Sequence, residues 1–163
     1  MPIIAMLLLA ASSPLPPPCQ AGQLRLSLDG RDGDFNGMSH SGTGLSVRNM
    51  GQDCLLAALP QVRLRDARNR IAPVVRQAPR GMHPGPVMVP LRLAASHRAA
   101  AEIRWIAGPV FPRSRRVHVA RITLNIGAGT ISAPLTAKLF GAVEQPAMFE
   151  QTPLHAVEGM AAG

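Results

Sequence analysis

Two cysteines, five histidines and a scatter of methionines carry most of the reactive chemistry in this 163-residue chain. Thioether sulfur beside imidazole is a copper-type donor set. The loop "GMHPGPVM" would supply Met82, His83 and Met88 together, and His40 lies two residues after Met38. No H-x-M or M-x-M spacing ties these donors to a common geometry, so the simpler reading makes them loop and edge residues, with copper as the alternative. "GMSHSGTG" places Ser39 and Ser41 on either side of His40. Neighbours on a strand point to opposite faces, so that adjacency does not make a catalytic dyad. No G-x-S-x-G, phosphate-binding G-x-x-x-x-G-K or H-E-x-x-H is present. The residues therefore predict a protein that is not an enzyme and that has no resident cofactor.

The cysteines point to a staple. Cys19 precedes the alternating run "LRLSL" (24–28), and Cys54 follows "LSVRNM" (45–50). If these runs are antiparallel partners, the start of the first meets the end of the second, and a Cys19–Cys54 disulfide needs little distortion. It would close a loop of roughly 36 residues and contribute about 4 kcal/mol in the chain-entropy model. A metal site would need further ligands near the cysteines, and a catalytic thiol would need a histidine beside it. Neither has local support.

The elements that must position these residues read as strands. Proline (16) and glycine (15) punctuate the whole chain, and no segment shows a sustained helical stripe. Period-two alternation recurs in "PQVRLRD" (60–66), "VMVPLRL" (87–93), "AAEIRWI" (100–106) and "VHVARITLNI" (117–126). "IAPVVRQ" (71–77) reads as the hairpin return of "PQVRLRD", with Pro73 marking an edge. "VMVPLRL" is expected to turn Val87, Val89, Leu91 and Leu93 inward. The alternation slips by one near Ala120 and Arg121, which predicts a bulge. "GAG" (127–129) is a hairpin turn, with "TISAPL" (130–135) returning. Seven to nine short strands at this spacing predict an all-β, antiparallel sandwich. Trp105, the only tryptophan, should face its core together with Ile103, close to the cysteine staple. Without tyrosine, an aromatic sugar platform is disfavoured.

Residues 1–18 read as a signal peptide with a Pro-rich leader. "MPIIAMLLLAASS" is apolar and then small, too short to span a bilayer, and "PLPPP" follows it. Proline at 16 and 18 argues against lipidation of Cys19. The sandwich is expected over 19–141, and 142–163 should be an extended or disordered tail. After signal cleavage no transmembrane segment is expected.

Several of these features together resemble the bacterial secreted proteins grouped as domain of unknown function 4232. The resemblance rests on an early Cys19, a strand ending "N-x-G" before the second cysteine ("VRNMGQDC"), and a proline opening an alternating strand that ends in a turn ("LPQVRLRDARNR"). It continues through "VPLRLAASHRAAAEIRW", where a tryptophan closes the next strand, and covers about 19–154. The family's frequent second cysteine pair is missing here. The resemblance implies an immunoglobulin-like sandwich with an early disulfide, and no activity.

The net charge is +8, from sixteen arginines and one lysine against nine acids. The arginines are scattered, and the densest cluster, "PRSRRVH" (112–118), holds only three. Codon bias from a GC-rich genome accounts for such a composition, and a nucleic-acid partner is not expected. The sequence thus predicts a periplasmic or secreted domain that binds an unknown protein or cell-envelope ligand, or is structural. Copper binding and polyanion binding are the alternatives.

Overall fold

The computed structural model describes residues 12–29, 37–77 and 88–158. Within them the chain forms eleven strands and one short 3-10 turn, Ala21–Gln23. The strands are β1 (Leu24–Leu28), β2 (His40–Asn49), β3 (Cys54–Leu56), β4 (Gln61–Arg65), β5 (Val74–Arg76) and β6 (Leu91–Leu93). They continue with β7 (Arg98–Ile106), β8 (Ser114–Asn125), β9 (Thr130–Ala142), β10 (Ala147–Gln151) and β11 (His155–Val157). Four of them, β3, β5, β6 and β11, are three residues long, too short for alternation to announce them.

The strands make an all-β sandwich. One layer has the order β1-β2-β7-β10-β5, with β11 also on β7; the other has the order β4-β8-β9. A small pair, β3-β6, closes one end. Strand β9 packs across β1, β7 and β10. Its inward residues Ile131, Ala133, Leu135, Ala137 and Leu139 are buried, while each intervening residue from Thr130 to Lys138 is exposed. Period-two placement of apolar side chains creates this division, because successive residues of a strand face opposite sides. Leu45, Val47, Ala99, Ala101, Ile103 and Phe149 line the facing sheet.

The first two runs pair as expected, Leu24 with Asn49 through Leu28 with Leu45. Cys19 and Cys54 are disulfide-bonded at that end and each is 1 % exposed. The pairing of β8 with β9 shifts between Val119↔Ala137 and Arg121↔Pro134, where the alternation slips.

Several expectations are corrected. Of the expected tail, 142–163, the stretch 147–157 does not lie outside the sandwich, and 159–163 lie outside the described residues. Strand β10 lies between β7 and β5, and β11 continues along the same edge of β7. Pro146 and Pro153 interrupt the run without preventing pairing, because each lies just outside a strand. The leader does not end cleanly at 18 either: Leu55 N–H donates to Pro17 O (2.8 Å) and Cys19 N–H to Leu55 O (2.9 Å). "IAPVVRQ" is not a hairpin return. It keeps one bridge, Arg65↔Ile71, and then crosses to the other layer, where β5 runs parallel to β10. Pro73 has no N–H with which to continue the ladder. Val89 is exposed rather than inward, while Leu93 is buried. Trp105 is 6 % exposed and shares the inner face with Ile103. It is not near the staple. It pairs with Ser41, eight residues from Asn49 along β2, roughly 26 Å at about 3.3 Å per residue.

Candidate anion-binding site

The outer face of the β4-β8-β9 sheet is cationic. On β4, Val62 and Leu64 face the core, which sends Arg63 and Arg65 outward. The register sets Arg63 opposite Thr123 and Arg65 opposite Arg121. On the other side of β8, His118 lies opposite Lys138 and Arg116 opposite Phe140. The guanidinium carbon of Arg116 sits over the Phe140 ring, 5.9 Å from its centroid, within cation–π range. Thr123 and Ser132, in the same cross-strand row as Arg63, share a hydroxyl hydrogen bond of 3.1 Å.

Strands β4, β8 and β9 contain no aspartate or glutamate. The direct pairing of Arg65 with Arg121 is unfavourable in itself, since like charges opposite one another on a sheet repel by roughly 0.2–1 kcal/mol. The other layer is more mixed: Arg104 lies opposite Glu150, although Arg25, Arg48 and Arg98 form a row across β1, β2 and β7.

One acid borders the cationic face. Asp66 begins the turn after β4, and its Oδ1 accepts from the N–H groups of Arg68 and Arg70, both at 2.9 Å. Asn69 takes the left-handed conformation there (φ 62°), which asparagine tolerates well. The Arg70 side chain binds Asp66 Oδ2 at 2.8 Å. The Arg70 N–H, then its guanidinium and the Arg68 N–H, hold the Asp66 carboxyl below the usual carboxylate range against a smaller desolvation effect. Asp66 thus balances Arg70 and orders the turn, leaving Arg68 without an acidic partner among the described residues.

The turn diverges from β8, because β4 pairs with β8 only from Arg121 to Asn125. A cleft of about 530 Å³ opens there, lined by Arg68, Arg70, Pro73, Arg115, Arg116 and His118. A neighbouring depression holds Asn69, Arg121 and Ser132.

The residues singled out for copper are not assembled. Met82 and His83 lie outside the described residues. His40 is exposed at the start of β2, and its Nδ1–H donates to Met38 O at 3.0 Å. Met88 precedes β6. Among the described residues no group of three or more His, Cys, Asp or Glu side chains could hold a metal ion. The sequence leaves polyanion binding only as an alternative and does not locate a cationic face, because its members come from three separated strands. The available signal was the charge alternation in "VRLR" and the missing acids after Arg113 as far as Ala142.

The fold and its staple define a class: a disulfide-bonded, all-β sandwich domain, with no described helix long and apolar enough to cross a membrane. Within that class the family is specific. The family model "Domain of unknown function (DUF4232)" matches residues 19–154, and the chain belongs to that family. No curated protein and no solved structure matches the chain.

Proposed function

We propose that this is an extracytoplasmic, non-enzymatic binding domain whose ligand is an anionic polymer of the cell envelope, carried on the outer face of β4-β8-β9. The observation behind this reading is the acid-free face itself, with Arg65 held opposite Arg121. Opposed arginines also occur on the other layer, at Arg25, Arg48 and Arg98, but Glu102 and Glu150 share its strands, whereas no acid on β4, β8 or β9 offsets the repulsion. An anionic polymer removes the repulsion and releases counterions as it binds. The disulfide supports an oxidising compartment, where such bonds form and persist.

Heparin affinity chromatography of the oxidised protein tests this, with heparin as the sulfated probe. Elution is expected near or above about 0.5 M salt, where weak charge contacts have been screened away. The double variant Arg65→Ala/Arg121→Ala should elute clearly earlier. A charge-matched control on the other layer, Arg48→Ala/Arg98→Ala, should move much less. Equal shifts in the two variants would mean that net charge alone is being read. Elution of the wild type at physiological salt would overturn the proposal.

A further inference from the structure

The cleft beside the Asp66–Arg70 turn differs from the rest of the cationic face because it gathers arginines around a concavity. Arg70 is balanced by Asp66, whereas Arg68, Arg115 and Arg116 have no acidic partner among the described residues. Each of these three is held differently. Arg68 projects from a turn whose backbone is fixed by two hydrogen bonds to Asp66 Oδ1. Arg116 lies over Phe140. Arg115 donates from Nη2 to Gln145 O at 3.0 Å, while its Nε is buried with no hydrogen-bond partner. His118 adds a further ring at the rim. The cleft also borders the half of β8 that β4 leaves uncovered, where a strand edge presents backbone groups.

We propose that this cleft is the specific subsite of the cationic face and receives a tetrahedral dianion, a phosphate or sulfate ester carried by the polymer. The inference rests on the binding role proposed above and names the group recognised. Three unbalanced guanidinium groups suit a charge of two with several acceptor oxygens better than a single carboxylate. Planar guanidinium forks pair with such oxygens two at a time. The rest of the face then supplies less specific attraction along the polymer.

The test uses the oxidised, full-length protein and three small probes: inorganic phosphate, sulfate and acetate. Amide chemical shifts are followed by two-dimensional NMR during titration at constant ionic strength. Phosphate or sulfate should give saturable shifts concentrated at Arg68, Ala72, Arg116 and His118, and whichever binds more tightly identifies the ester. Acetate should give only small, unsaturated shifts. Arg68→Ala and Arg116→Ala alter exposed side chains, and each should weaken the saturating anion by about tenfold or more, whereas Arg63→Ala should not. Linear, scattered shifts, or saturation unchanged in both variants, would overturn the cleft. Saturation by acetate to the same degree would overturn the dianion. The heparin experiment separates this proposal from the broader one. Retention of the wild type without saturable phosphate or sulfate binding leaves the face and removes the cleft. Saturable binding without retention on heparin leaves the cleft as a small-anion site and removes the polymer.

Discussion

At the scale of single residues, Asn49 shows why a polar side chain can sit at 0 % exposure between two apolar layers. Its Oδ1 accepts from Gly51 N–H and Gln23 Nε2, both at 2.9 Å, and its Nδ2 donates to Gln52 O at 2.8 Å and Leu93 O at 3.0 Å. All four hydrogen-bonding positions of the amide are thus used. The "N-x-G" signature gains a physical meaning: asparagine shapes the turn that delivers Cys54 to Cys19. Gly51 follows because a Cβ there would lie 2.9 Å from Gln23 Cβ. Replacing Asn49 with alanine strands several buried partners and should cost about 2–4 kcal/mol in urea unfolding. A loss below about 0.5 kcal/mol would contradict this account. Asp66 behaves differently, because its carboxyl is held below the usual range only in the folded chain. Its contribution is therefore present above the unfolded value near about 3.9 and is lost as pH falls through the lower folded value. The stability gap between wild type and Asp66→Ala should be open at neutral pH and should close in strong acid. A gap independent of pH would show that Asp66 acts through shape alone.

At the scale of elements, β10 decides whether the layer is complete. It joins β7 to β5, and its residues Ala147, Phe149 and Gln151 face the core. Gln151 is satisfied there by donating from Nε2 to Pro60 O at 3.1 Å and accepting from Arg76 at 3.3 Å. Where β9 turns into β10 the two strands approach so closely that a Cβ on Gly141 would lie 2.8 Å from Ala147 Cα and 2.9 Å from its nitrogen. These are backbone atoms and cannot swing aside. Gly141→Ala should therefore destabilise the domain by roughly 1–3 kcal/mol, read as a lower midpoint in thermal or urea unfolding. An unchanged midpoint would mean that β10 can shift without cost. The long alternating strands were legible element by element, including the slip in β8. The three-residue strands were not, because a pattern of period two needs more than three residues to declare itself.

At the scale of the whole molecule, the staple ties the two ends of the β1-β2 pair to the small β3-β6 closure, where Cys54 lies opposite Leu93. Aspartate 53 reinforces that corner. It binds Arg92 at 2.8 Å and accepts from Ala95 N–H at 3.0 Å, and these contacts, Arg92 first, hold its carboxyl below the usual range. The cysteines are separated by 35 residues. Opening a loop of that length should cost about 4 kcal/mol in the chain-entropy model, a large share of the 5–15 kcal/mol typical of a domain. Reduction, or replacement of both cysteines by serine, is expected to lower the melting temperature by many degrees while β-sheet circular dichroism persists at low temperature. The oxidised protein should show no reactive thiol after denaturation. Two reactive thiols in protein exported to the periplasm would remove both the bridge and the argument for compartment.

The sequence by itself determined the β character, the inward faces of the long strands, the position of the bulge, the cysteine pair and the family. Each of these depends on residues close in the chain or on a count as small as two cysteines. Tertiary structure decided what depends on partners distant in sequence. It took "IAPVVRQ" across to the other layer, and it brought the expected tail into the sheet. It also placed Trp105 far from the staple: the antiparallel register of β2 with β7 sets Trp105 opposite Ser41 rather than Asn49. The cationic face belongs to the same class of fact. Arg65 and Arg121 are 56 residues apart in the chain and directly opposed in the sheet. A scatter of arginines becomes one charged surface because β-pairing sorts side chains by register and face, and neither can be read from local spacing.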